Sequence, residues 1–213
     1  MINKKGLLLV VSGPSGTGKG TICKDIVAKH EDINLSISAT TRNPRVGEVE
    51  GKSYFFKTKE DFEDMVDKGE FLEHAMIYDN YYGTPKKAIF DELDMGRDVI
   101  LEIEMQGAMQ IKEVYPQAVF IFVLPPSLQE LKNRIIGRGT ETEEQIEKRF
   151  NSAYDEIKLL GDYDYFIFNN IVEKSSEEIL NILEVEKNKV SRYKKDILDM
   201  FEKEIENVKT IIK

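Results

Sequence analysis

The chain has 213 residues and a mass of 24.5 kDa, with 39 acidic against 30 basic side chains, a formal charge of -9 and a pI near 5.0. That length suits one compact domain with insertions and leaves no room for two independent enzymes, since single cores run to about 250 residues before they split. The acidic balance excludes sequence-independent binding of duplex nucleic acid, which needs a basic footprint to release counterions. With 41% hydrophobic and 32% charged residues and only 6 prolines, the chain can bury a core.

The first apolar run, Leu7 to Val11, is shorter than the roughly 7 to 15 residues of a signal peptide and reads as a strand buried on both faces. Glycine punctuation from Gly13 to Gly20 follows, and Thr21 to Lys29 has helical spacing of Ile22, Ile26 and Val27. Cys23 is the single cysteine, which excludes an internal disulfide; it reads as a small buried hydrophobe in a protein of the reducing cytoplasm. Further buried strands are expected at Val99 to Ile103, Val119 to Leu124 and Tyr165 to Phe168, alternating with helices at Lys86 to Met95 and Gly107 to Val114. That alternation predicts an α/β fold: a parallel sheet with helices on both faces. No stretch approaches the ~18 apolar residues of a membrane span, so a soluble protein without a membrane partner is expected.

Two stretches interrupt the alternation. Residues 38–85 carry a loop with Pro44 and Gly47, an aromatic strand Tyr54 to Phe56, a helix opened by Thr58 with Asp61 three residues on, a strand from Glu70 to Met76 and a turn from Tyr78 to Gly83. Residues 127–155 begin after Pro125-Pro126 with Ser127 as a helix cap, and a Gly137-Arg138-Gly139 elbow separates two charged helices. The core would then comprise 1–37, 86–126 and 156–190. From Ser175 to Lys213 there is no glycine or proline, and Val190, Tyr193, Ile197, Phe201, Ile205, Val208 and Ile212 recur every three or four residues, an amphipathic C-terminal helix with room for a bend.

The strongest chemical signal is Gly13-Pro14-Ser15-Gly16-Thr17-Gly18-Lys19, which has the spacing of a phosphate-binding loop at a strand-to-helix junction. Glycines let successive amide hydrogens turn inward, the following helix adds its positive end, and Lys19 would bridge the outer phosphates of a polyphosphate. Gly20 stands where a magnesium-ligating Ser or Thr is usual, and Thr21 follows it. Five of the seven arginines, Arg42, Arg45, Arg134, Arg138 and Arg149, fall in the two interruptions while lysines are scattered, so both interruptions are expected to meet phosphate.

With these motifs the sequence resembles the guanylate kinases over residues 6 to about 190: GPSGTGKGT at 13 to 21, SATTRNPRVGEVEG at 38 to 51, EFLE at 70 to 73, YYGT at 81 to 84, LEIEMQGA at 101 to 108 and GRGTETEEQIEKR at 137 to 149. The resemblance implies transfer of the γ-phosphoryl group of Mg-ATP to GMP, giving ADP and GDP. It makes 38–85 the GMP-binding region and 127–155 a lid over ATP. Arg42, Arg45, Tyr54 and Tyr82 would hold the GMP phosphate, with Glu48 orienting Arg42 or Arg45. Ser38, Glu73 and Thr84 would read guanine, since one carboxylate accepts from both N1 and the exocyclic amine whereas adenine presents an acceptor at N1. On spacing alone Glu73 beside His74 would be a solvated strand residue.

ATP would sit on Gly13, Pro14, Ser15, Gly16, Thr17, Gly18, Lys19, Gly20 and Thr21, with Lys19, Arg42, Arg134, Arg138 and Arg149 around the transferring group. Asn169 resembles a residue that contacts adenine, and a satisfied turn asparagine is the competing reading. Glu102 and Glu104 are counted with the GMP-binding residues and would hold magnesium through water, with Glu104 able to meet the guanine amino group instead; no side chain is assigned as a direct metal ligand. The acceptor phosphate, largely dianionic at pH 7, needs no general base, and neither His30 nor His74 is given a catalytic role.

The alternative function is a guanylate-kinase-like module that binds phosphorylated peptides without catalysis, against which Lys19, Arg138 and Arg149 together argue. A GTP-driven switch lacks its N-K-x-D pattern here. The tail from 191 to 213 lies beyond the resemblance, and its apolar stripe suits either packing on the core or pairing in a homo-oligomer.

Overall fold

The computed structural model describes residues 5–77, 79–136 and 143–211, with backbone alone over 143–149 and 206–211. In chain order the elements are β1 (Leu8–Ser12), α1 (Lys19–Lys29), β2 (Ile33–Leu35), β3 (Ala39–Thr40), β4 (Phe55–Phe56), α2 (Lys59–Asp67), β5 (Phe71–Ile77), β6 (Asn80–Pro85), α3 (Lys86–Asp94), β7 (Asp98–Glu102), α4 (Met105–Val114), β8 (Val119–Leu124), α5 (Leu128–Ile136), α6 (Glu143–Ile157), a 3₁₀ turn at Lys158–Asp162, β9 (Tyr165–Phe168), α7 (Val172–Glu186) and α8 (Val190–Ile211).

The main sheet has the order β2-β7-β1-β8-β9, parallel throughout. β1 lies at its centre with every residue buried, as its unbroken apolar run requires. Its side chains alternate: Leu7, Leu9 and Val11 pack with Ile22, Cys23 and Ile26 of α1 and Ile179 and Leu183 of α7. Leu8 and Val10 pack with Ile89 and Leu93 of α3 and Ile111 of α4. Helices therefore cover both faces, and Cys23 is a buried hydrophobe whose thiol is held protonated by burial and by Glu102.

The first interruption is a second sheet of order β4-β3-β6-β5. Phe62 of α2 is its core, stacked against Phe71 at 4.5 Å and Tyr81 at 5.3 Å between ring centres. Thr58 caps α2 as its sequence suggests, accepting a bond from the Asp61 amide at 3.1 Å, and Ser127 does the same for the Glu130 amide ahead of α5.

Two expectations need correction, and two short strands add to them. The turn expected from Tyr78 to Gly83 is shorter than that: Asp79 is a turn residue with a positive φ of 66°, β6 begins at Asn80 and pairs antiparallel with β5, and Tyr78 lies outside the described residues. Gly83 is there for packing, because a Cβ would come within 2.9–3.0 Å of the Phe71 and Phe62 rings. The strands β2 and β3 carry no sequence signal, being three and two residues long; they form because β7 and β6 offer unpaired edges.

The C-terminal stretch is two helices, not one, broken at 187–189 without glycine or proline. Side chains anchor the break. Lys187 reaches the buried Asp98 at 2.8 Å, whose other oxygen accepts from the Leu7 amide at 2.8 Å, and Arg192 donates to the Gly6 carbonyl at 3.2 Å. The Gly137-Arg138-Gly139 elbow lies outside the described residues, as do the side chains of Val208 and Ile212. Replacing Asp98 by Ala strands a buried amide and a half-buried ammonium, so urea denaturation should show a loss of about 2–3 kcal/mol. A loss below about 0.5 kcal/mol would remove this anchor from the account.

Candidate active site

The phosphate loop joins β1 to α1 across the sheet's C-terminal edge, the place where parallel α/β sheets bind ligands. Gly13, Gly16 and Gly18 have φ of 136°, 92° and 90°, conformations in which a side chain would be strained. Gly13 also abuts the Val123 carbonyl, and Gly18 the Asn169 amide, too closely for any Cβ. α1 starts at Lys19 with Gly18 at its N-cap, no side-chain cap and no acidic residue in its first turn. The Thr21 and Ile22 amides bond the Gly18 carbonyl at 3.1 Å, and this first turn borders an open cavity of about 420 Å³, lined by Ser15, Gly16, Gly18, Lys19, Gly20, Thr21, Lys24 and Glu102.

Lys19 folds back over the loop, donating to the carbonyls of Gly13 at 2.5 Å and Pro14 at 3.1 Å. Burial lowers its pKa, while Glu102, Glu156 and Glu104, all within electrostatic reach, oppose that shift. Thr17 is buried and donates to the Pro14 carbonyl at 2.9 Å.

Gly20 now has a physical reason. A Cβ at this position would sit 2.9 Å from Glu102 Oε1, so the carboxylate from the end of β7 occupies the space that a serine or threonine side chain would need.

Beneath the loop, Asn169 is 3% exposed and fully engaged: its Nδ2 donates to the Thr17 carbonyl at 2.7 Å and its Oδ1 accepts from Ser175 at 3.2 Å. Its carbonyl accepts from Arg134 at 3.1 Å, and Arg134 also reaches the Thr17 carbonyl at 3.5 Å. Glu130, one turn earlier on α5, orients Arg134 at 2.8 Å. Leu131 and Ile135 of the same helix pack over Gly16. Arg134 and Asn169 thus share one contact with the loop. Arg138 and the side chain of Arg149 lie outside the described residues.

On the second sheet Arg42 is gripped bidentately by Glu48, at 2.8 and 3.0 Å, and Glu48 also accepts from the Arg45 amide at 2.7 Å. Glu48 thus orients both arginine positions, and Arg42 lowers its pKa. The Arg42 guanidinium lies 5.4 Å from the Tyr54 ring centre, and Tyr54 meets Tyr82 edge-on at 6.1 Å. Its Nε–H is buried with no partner. Arg45 is exposed. Ser38 accepts from the Phe55 amide through its carbonyl at 2.9 Å, which leaves its side chain out of the strand pairing.

Glu73 overturns the solvated reading. It is 6% exposed, paired across the hairpin with Thr84, whose hydroxyl donates to it at 2.5 Å. Its second oxygen lies against Gly107 of α4, where a Cβ would come within 2.5 Å. Burial raises its pKa to about 6, against the Thr84 bond, with Glu104 adding to the rise. Gly107, Gln110, Glu130 and Ser175 received no role in the sequence reading; a glycine inside a helix and an i,i+4 Glu–Arg pair were the available signals for two of them.

Glu102 and Glu104 stand between the two halves. Glu102 is felt by Lys19 on one side and by Tyr54 on the other, and Glu104 by Lys19 and by Glu73. Among the described residues no group of three or more His, Cys, Asp or Glu gathers to hold a metal.

A family model described as guanylate kinase matches residues 5–186. The chain belongs to the guanylate kinase family. It is 67% identical to a curated guanylate kinase of Clostridioides difficile over 205 residues, covering 96% of this chain and 100% of that one. It is 55% identical to one of Caldanaerobacter subterraneus, covering 91% and 94%. A crystal structure of guanylate kinase from Anaplasma phagocytophilum superposes with a TM-score of 0.74 at 35% identity, over 88% of this chain and 89% of that one. The parallel-sheet kinase core with inserted elements is the family's fold.

The raised carboxyl of Glu73 sets a pH dependence. Below about 4.5 it is protonated in both states; between 4.5 and 6 the unfolded chain gives up the proton first, so stability falls; above 6 the penalty is complete. A Glu73→Gln variant carries no such penalty. Its stability relative to the parent should therefore rise by about 2 kcal/mol from pH 4 to pH 7 in paired denaturation curves. Parallel curves at the two pH values would contradict the buried carboxyl.

Proposed function

We propose that the protein transfers the γ-phosphoryl group of ATP to GMP, giving ADP and GDP, with the phosphate loop as donor site and the second sheet as acceptor site. The observation that carries this reading is the buried Glu73–Thr84 pair facing α4, across the β7 carboxylates from an uncapped helix and Lys19. A buried carboxylate is an acceptor that guanine's N1–H and amine together satisfy.

In this scheme residues 13–21 receive the polyphosphate of ATP on backbone amides, and Lys19 exchanges its two carbonyl contacts for phosphate oxygens. Arg42, with Arg45, Tyr54 and Tyr82, holds the phosphate of GMP, Glu48 keeping the guanidinium fixed. Ser38, Glu73 and Thr84 read the base. Arg134 and Asn169 secure the Thr17 carbonyl, so their first service to ATP is to hold the loop's shape, with adenine packing beside them. Arg138 and Arg149 join Lys19, Arg42 and Arg134 at the transferring group when 127–155 closes as a lid over the 1–37, 86–126 and 156–190 core. Closure excludes water that would otherwise hydrolyse ATP.

Magnesium suits the donor set, since Glu102 and Glu104 supply hard carboxylate oxygens beside the loop, and a cation held there through water and the ATP phosphates would neutralise charge on them. The acceptor is itself an anionic phosphate, so no residue need serve as base. The non-catalytic phosphopeptide reading would leave Lys19, buried at a cost inside an uncapped loop, without a purpose.

No helix among the described residues is long and apolar enough to cross a membrane. A cytoplasmic location suits the buried, reduced Cys23. The half-exposed Leu198, Phe201 and Ile205 of α8, a helix beyond the 5–186 family match, favour a homo-oligomer over packing on the core.

An ADP-release assay with Mg-ATP and GMP, AMP, CMP or UMP in parallel tests the reaction. Turnover should require GMP; turnover with every nucleotide or with none would contradict the proposal. Lys19→Ala should lower kcat by at least roughly a hundredfold in folded protein. Arg149→Ala should lower kcat with little change in either KM, because a lid contact made in the transition state does not hold the ground state; a pure rise in KM would contradict that role.

A further inference from the structure

We infer that Gln110 is a positioning residue for guanine recognition, fastening the edge strand that carries Glu73 to the helix that follows the β7 carboxylates. This rests on Glu73 as the guanine-reading carboxylate.

β5 is the outer strand of its sheet, paired with β6 on one side only. The backbone N–H and C=O of every second residue of such a strand face away from the ladder. At His74, immediately after Glu73, both groups are taken by one side chain from another part of the fold. Gln110 Oε1 accepts from the His74 amide at 3.2 Å, and Gln110 Nε2 donates to the His74 carbonyl at 2.9 Å. The primary amide stands in for a neighbouring strand, at a single residue.

The placement fixes more than an edge. Gln110 is three residues after Gly107, on the same face of α4, and Gly107 is where Glu73 Oε2 meets the helix backbone. α4 begins directly after Glu104, and β7 ends at Glu102 beside Lys19. One rigid segment therefore runs from the phosphate loop's carboxylate to the base-reading carboxylate, and Gln110 is the clasp at its far end. Gly107 permits the approach; the two amide bonds set its register. Without them β5 is held to α4 only by packing, and a shift of a fraction of an ångström moves Glu73 relative to a guanine whose phosphate is anchored at Arg42. A glutamine at this place serves acceptor recognition and not ATP binding, because both of its side-chain hydrogen bonds go to β5.

The test uses the full chain and two variants. Gln110→Leu keeps the bulk and removes both bonds; Gln110→Glu keeps the acceptor for the His74 amide and sets a charge against the His74 carbonyl. Steady-state kinetics are measured with GMP and with IMP, which lacks the exocyclic amine, and with ATP varied. Gln110→Leu should raise the KM for GMP by about tenfold, the equivalent of one to two neutral hydrogen bonds. It should lower the GMP-to-IMP ratio of kcat/KM several-fold, with the KM for ATP unchanged and kcat within about twofold; Gln110→Glu should fall between it and the parent.

An unchanged ratio in Gln110→Leu, or equal losses for GMP, IMP and ATP, would overturn the assignment and leave a purely structural contact. Should Gln110→Leu not fold by circular dichroism, an unchanged ratio in Gln110→Glu would overturn it instead. Glu73→Gln separates the two readings: if it too leaves the ratio unchanged, Glu73 does not read guanine, whereas a ratio lost in Glu73→Gln and kept in Gln110→Leu rejects the clasp alone.

Discussion

An α-helix that starts without a cap is the constraint on which the rest of this molecule turns. Thr58 closes α2 with a side-chain bond and acidic residues occupy its first turn; α1, like α3 and α4, has neither, but α1 also follows a loop curled by three positive-φ glycines and carries Lys19 over that loop. Its positive end, with Lys19 doubled back onto the Gly13 and Pro14 carbonyls, suits an anion. The surrounding structure holds this loop open. Three left-handed glycines curl it, Val123 and Asn169 crowd it from below, and Leu131 and Ile135 pack over Gly16. Asn169 and Arg134 both hold the Thr17 carbonyl, so α5 and the residue that follows β9 brace the same peptide.

The second sheet is tied to that loop by charge as well as by packing. Glu102 fills the space beside Gly20 that would otherwise accommodate a hydroxyl side chain, and its field reaches both Lys19 and Tyr54. Two carboxylates at the end of one strand thus lie between the cationic groups of the donor and acceptor sides. Before nucleotides arrive, these acidic groups balance Lys19, and Glu48 balances Arg42. In the proposed reaction both phosphates would reverse that balance, and Arg138, Arg149 and a divalent cation would supply the charge that brings donor and acceptor together.

Much of this was legible in the residues alone, for physical reasons. Strands buried on both faces must be apolar throughout, so Leu7 to Val11 and Val119 to Leu124 announced themselves. The phosphate loop was legible because backbone curvature demands glycine at particular positions. Strands of two or three residues were not, since they exist only through the edges that receive them. Tyr78 to Gly83 looked like a turn because Asp, Asn and Gly gather there, yet Gly83 answers to the Phe62 and Phe71 rings. The break between α7 and α8 has no local signal and follows from Lys187 reaching Asp98. Glu73 showed the same limit: in the chain it is one more charged residue on a strand, and only the approach of Gly107 buries it.

If the loop and the α1 terminus take the polyphosphate as proposed, the base adds less to nucleotide binding than the phosphates do. Calorimetric titration of the protein with ADP and with adenosine, both in magnesium buffer, measures this directly. The account predicts that ADP binds at least roughly a hundredfold more tightly than adenosine, through charge-assisted bonds to the α1 amides and Lys19. Comparable affinities for the two would contradict it, and would move recognition from the uncapped helix to the nucleoside.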